Sequence, residues 1–137
     1  MRLLVVALSL AGCADSAEEN LERFWSDAKT ECWHNSCPGY PQSPPNCTEE
    51  TPSAQGIACM NDALANDIRA RSSCVIYSFR EDTEYGTYVF SVDGRVKVFT
   101  TTQLGPNPRE VREWPTCRAG FLLTVGSLCT WSAADCQ

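Results

Sequence analysis

Thr87-Tyr88-Val89-Phe90-Ser91-Val92-Asp93-Gly94-Arg95-Val96-Lys97-Val98-Phe99-Thr100 decides how the rest of this 137-residue chain is read, because it reverses direction in its own middle. Side chains alternate with a period of two on both sides of Asp93-Gly94, as half-buried strands do. Aspartate followed by glycine between such runs is a strong short-range hairpin signal. A two-residue loop would set Phe90 opposite Lys97 and Val92 opposite Arg95. A three-residue loop, Val92-Asp93-Gly94 with a glycine bulge, would set Phe90 opposite Val96 and Tyr88 opposite Val98. A slip of one residue turns every side chain over, so the choice matters. For a sheet with one wet face, the bulged register is expected, because it gathers Ser91, Arg95, Val89 and Lys97 on one side.

Working outward, Val75, Tyr77 and Phe79 alternate with Ile76, Ser78 and Arg80, which predicts a preceding strand starting at Cys74. Further towards the N-terminus the period changes to that of a helix. Ser16 and Glu19 form a Ser-x-x-Glu capping box, and Ala17, Leu21, Phe24, Trp25, Ala28 and Cys32 recur at helical offsets. A helix over residues 17–32 is expected. Ile57, Met60, Leu64 and Ile68 predict a second helix over 54–69, with Asp62 and Asp67 on its solvated side. Between them, residues 33–54 carry five prolines, which makes regular structure improbable there. That loop holds Trp33, the lone His34 and Tyr40 as a candidate binding loop.

Beyond the hairpin, residues 105–108 mark a loop, 109–114 one helical turn stopped by Pro115, and 121–125 a buried strand between glycines. Cys129 and Cys136 flank a C-terminal turn around Trp131. The expected architecture is α+β: two N-terminal helices packed on one face of a small antiparallel β-meander, stabilised by disulfides.

The chain begins with Met1 and Arg2, then an apolar run to Leu10 broken only by Ser9. That run is far short of the roughly 20 residues that span hydrocarbon, and it reads as an export signal. Leu10-Ala11-Gly12-Cys13 resembles the lipobox of bacterial lipoproteins: a branched residue, two small ones, then cysteine. The resemblance implies lipidation of Cys13, cleavage before it and a membrane anchor, with residues 1–12 as signal peptide, 13–16 as anchor and tether, and 17–137 as one domain. Ala14, where an aspartate would signal inner-membrane retention, favours the outer membrane. The alternative is an ordinary secretory signal, with the protein secreted and Cys13 discarded.

Nine cysteines are present, and setting Cys13 aside leaves Cys32, Cys37, Cys47, Cys59, Cys74, Cys117, Cys129 and Cys136. An even remainder in a small exported chain reads as a disulfide framework of four bridges. Short spacing favours Cys32 with Cys37 or Cys47, and Cys129 with Cys136. Residues 13–137 hold ten Lys and Arg against seventeen Asp and Glu, a formal charge of −7. Such a chain should repel nucleic acid.

Chemistry is sparse in the sequence. One histidine does not make a multi-histidine metal site, no Cys-x-x-Cys pair is present, and no serine sits in a nucleophile elbow. No cofactor, metal or catalytic residue is therefore assigned. The run Ala58-Cys59-Met60-Asn61-Asp62-Ala63-Leu64, followed by a cysteine-led strand and a hairpin, resembles cysteine-rich lipoproteins of myxobacteria-like genomes, and implies no activity. The expectation is a non-enzymatic envelope module that meets the membrane through its anchor and binds an envelope protein or peptidoglycan. A small hydrolase or hydrolase inhibitor using loop 33–54 is the alternative.

Overall fold

The computed structural model describes residues 16–38, 54–78, 81–116, 124–125 and 131–132. The element order is α1 (Ala17–Asp27), β1 (Thr30–Pro38), α2 (Ala54–Ala65), β2 (Ala70–Ser78), β3 (Thr83–Val92), β4 (Arg95–Leu104) and β5 (Glu110–Glu113), followed by β6 (Thr124–Val125) and β7 (Trp131–Ser132). Strands β1 to β5 form one sheet in sequence order, and β6 pairs with β7 separately. β1 runs parallel to β2 and the remaining neighbours are antiparallel. The class is α+β, but the helices are not both N-terminal to the sheet. β1 lies between them, and α2 is the crossover that a parallel pair requires.

Helix α1 begins where the capping box placed it. The Ser16 hydroxyl accepts from the Glu19 amide at 3.2 Å, and Asn20 N–H reaches Ser16 O at 3.0 Å. It stops at Asp27 rather than 32, because Ala28 is extended (φ −80°, ψ 105°). Cys32 matches the helical spacing by coincidence, and its segment pairs with β2 instead. Helix α2 ends at Ala65 rather than 69. Asp67 takes a left-handed conformation (φ 53°), and Ile68 N–H closes back onto Ala63 O at 2.9 Å, the bond of a Schellman stop. Ile68 is consequently 42% exposed instead of continuing the buried stripe. The expected helical turn at 109–114 is a strand, β5, paired along residues 99–102 of β4.

The hairpin register also differs from the expectation. Val92 stands opposite Arg95 and Phe90 opposite Lys97, so the loop has two residues. Asp93 (φ 52°) and Gly94 (φ 68°) both lie left-handed, as a type I′ turn demands. The bulged alternative assumed one wet face, and both faces are covered. Met60, Ala63 and Leu64 of α2 pack with Ala70, Val89 and Val96. Leu21 and Ala28 pack with Phe90 and Phe99, joined by Phe24 and Trp25 of α1. Val89 and Phe90 are consecutive strand residues and both fully buried, so they point to opposite sides. The two helices therefore sandwich the sheet instead of sharing one face.

Two-sided covering places Lys97 under α1, only 9% exposed. Its ammonium stands 5.6 Å from the Phe99 ring centre and is satisfied at the edge, 2.9 Å from Glu113 Oε1 and donating to Trp114 O at 2.7 Å. A long cation can line a covered face when its head finds partners. Burial pushes the Glu113 carboxyl up, but hydrogen bonds from Lys97 and Asn20 outweigh it and hold the group below its ordinary 4.5. A lowered carboxyl contributes stability that is present above the unfolded value and lost as pH falls through the folded one. Urea unfolding at pH 7 and pH 3 should therefore show a smaller acid-induced drop in midpoint for Glu113→Gln than for the wild type. Equal drops would mean that this pair contributes nothing to acid sensitivity.

Candidate binding cleft

The structure places Trp33 and His34 on β1 rather than in the Pro-rich loop expected over residues 33–54. They are neighbours on β1, facing opposite sides. Trp33 is half-buried beneath α2, where it packs against Gly56 so closely that a Cβ on that glycine would lie 2.9 Å from the Trp33 Cβ. His34 is exposed on the α1 side, with Nδ1 2.5 Å from the Ser73 hydroxyl. Tyr40 and Cys13 lie outside the described residues.

Cys32 is bonded to Cys59, 27 residues away, rather than to Cys37 or Cys47. The register of β1 on β2 shifts between Glu31 and Trp33, and this bulge lets Cys32 and Trp33 both meet α2. The bridge, with Cα atoms 5.4 Å apart, fastens α2 to β1. Spatial closeness of strand and helix, not sequence spacing, selects the pair. Cys74 is also disulfide-bonded. The side chains of Cys37, Cys47, Cys117, Cys129 and Cys136 lie outside the described residues.

On the α1 side of the sheet, a cleft of about 450 Å³ opens between helix and strands. Glu22, Trp25 and Ser26 come from α1, His34 from β1, Tyr88 from β3 and Arg109 from the connection into β5, with Leu21 at the base. Such a volume lies within the range of about 300–1,000 Å³ usual for small-molecule sites. Register explains the grouping: His34 stands beside Ser73, and Ser73 beside Tyr88, in one row across the sheet.

Gly86 shapes the floor. A Cβ there would meet the Thr101 hydroxyl and lie 2.9 Å from Tyr88 Cε2. The Tyr88 ring thus lies over a position that must stay bare, an aromatic covering of a strand glycine. Trp25 meets Tyr88 at 85°, ring centres 5.9 Å apart, and the two rings form a corner. Trp25 is braced from outside: the Arg71 guanidinium sits 4.0 Å from its ring centre and donates to its carbonyl at 2.7 Å.

Electrostatically the cleft is not cationic. Arg109 is engaged by both carboxylate oxygens of Glu18, while Glu22 is exposed at the rim. Burial raises the Tyr88 phenol above its ordinary value, opposed by nearby Arg109, so Tyr88 presents a neutral ring at physiological pH.

Ser73 and His34 have the composition of a nucleophile and its base. Ser73 is fully buried, however, so its hydroxyl orients the imidazole rather than meeting a substrate. Among the described residues, no three His, Cys, Asp or Glu side chains gather as a metal-ligand group, and no helix is long and apolar enough to cross a membrane. Trp25, Tyr88 and Arg109 carried no signal as site residues in the sequence. They read as helix stripe, strand and loop, and only the packing of α1 and of the connection into β5 on the sheet brings them together. No protein family, curated protein or solved structure matches the chain.

Proposed function

We propose that this chain is an exported lipoprotein, anchored through Cys13 to the bacterial envelope, preferentially the outer membrane, and that its folded part is a non-enzymatic binding module. The observation that carries this reading is the lipobox-like Leu10-Ala11-Gly12-Cys13 standing directly ahead of a capped helix. Only Ala14 and Asp15 separate Cys13 from the N-cap Ser16, and a tether of three extended residues reaches about 10 Å. The domain would therefore work close against the bilayer surface. Several acyl chains make such an anchor durable where one alone binds marginally. The cleft under α1, with neutral rings and polar side chains at its rim, supports binding as the domain's task.

Fractionation of cells grown with labelled palmitate tests the anchor. The wild type should carry label and sediment with membranes, and Cys13→Ser should lose the label and become soluble or remain as an unprocessed precursor. Unlabelled wild-type protein in the soluble fraction would refute the anchor.

A further inference from the structure

We propose that the cleft between α1 and the sheet binds an uncharged sugar ring within an oligosaccharide, a ligand class that deepens the binding-module reading and rests on it. Sugars present two surfaces: a C–H face, which packs on aromatic rings, and a rim of hydroxyls, which needs donors and acceptors around it. The cleft supplies both. Tyr88, laid over Gly86, and Trp25, standing at 85° to it, form an apolar corner with Leu21 at its base. Around the corner stand an acceptor, Glu22, a hydroxyl, Ser26, a donor, Arg109, and the imidazole of His34.

Charge argues against ionic ligands. Phosphates and carboxylates want an uncommitted guanidinium edge, and here Glu18 holds Arg109 through Nε and Nη2 and neutralises its charge, leaving Nη1 to donate to a neutral group, while Glu22 adds negative charge at the rim. An organic cation would want an open ring face, and Arg71 already covers one face of Trp25. A neutral ligand with many hydroxyls matches the aromatic corner and the polar rim together. The Ser73 hydroxyl engages His34 Nδ1, so Nε2 remains as that ring's hydrogen-bonding position for the ligand.

The test is isothermal titration of the full chain, solubilised in a polyoxyethylene detergent free of sugar headgroups. The probes are triacetylchitotriose and cellotriose, with trigalacturonate as the charged counterpart. At least one neutral trisaccharide should bind, trigalacturonate at least tenfold more weakly, and Glu22→Ala and His34→Gln should each weaken the neutral ligand about fivefold. Both variants should keep the wild-type melting temperature, since neither side chain is in the core. A co-sedimentation arm with purified peptidoglycan sacculi separates two sources: retention assigns the glycan of the wall, and binding of soluble trisaccharide without retention assigns a free oligosaccharide. The proposal is overturned if neither neutral sugar binds, if the charged trimer binds as well or better, or if both variants bind like the wild type. Cys13→Ser should bind sugar with unchanged affinity, so failure of the cleft and failure of the anchor are read separately.

Discussion

Phe90→Ala is expected to cost about 3–5 kcal/mol of unfolding free energy, the range for removing a fully buried aromatic side chain. Phe90 is completely buried, with its ring 5.5 Å from Phe24, 5.8 Å from Phe99 and 6.4 Å from Trp25. It is the point at which α1 is held to the sheet. Domains of this size have about 5–15 kcal/mol in total, so the variant should be partly unfolded at 37 °C. The informative comparison is its neighbour. Val89→Ala should also cost on the order of 2 kcal/mol, because Val89 is equally buried under α2. In a sheet with one wet face, one of two consecutive strand residues would tolerate truncation. Urea melts in which either variant loses less than about 0.5 kcal/mol would contradict the sandwich.

Replacing Cys32 and Cys59 together by serine is expected to cost about 3–4 kcal/mol, from the chain-entropy relation for a bridge closing a loop of this length, the two cysteines being 27 residues apart. The double substitution is preferable to a reductant, which would also attack the bridge at Cys74. The loss should appear as faster amide exchange in α2 above all, since the bridge is the covalent tie between that helix and β1. Exchange in α1 should change little. An unchanged melting temperature, with α2 still protected, would mean that the packing of Met60, Ala63 and Leu64 alone holds the helix.

These effects show which parts of the fold were legible from residues. The start of α1 was legible because Ser16 and Glu19 act through local geometry. The turn at Asp93-Gly94 was legible for the same reason, since few residue pairs accept two left-handed conformations in succession. The register around that turn was not, because it depends on whether the second face is covered, and that is decided by helices remote in sequence. Lys97 misled most: a lysine in an alternating strand reads as a wet face, and here its head escapes to Glu113 and Trp114 at the sheet edge. β1 was hidden by proximity to the prolines, although Thr30 to Trp33 is well suited to a strand. The partner of Cys32 is hidden for the same reason, since only the adjacency of β1 and α2 brings Cys59 to it. Of the cleft, His34 alone stands out in the sequence, as a lone histidine beside the prolines, and the structure places it on β1. Its association with Trp25, Tyr88 and Arg109 is a product of tertiary structure.

An anchored module makes sense of several features that the domain alone does not require. On the proposed anchor, a tether this short would give the cleft little reach and favour a ligand near the membrane surface. With residues 1–12 removed as proposed, the net charge of −7 would disfavour contact with anionic lipid headgroups and leave attachment to the acyl chains. A bridged domain suits an oxidising compartment, where a disulfide persists.

The most direct test of this account is the intact mass of the protein purified from membranes, measured with and without reduction and alkylation. The account predicts a chain that starts at Cys13, carries the added mass of its acyl chains, and takes up alkyl groups only after reduction. A lipid-free mass, with residues 1–12 retained or removed at another position, would contradict it.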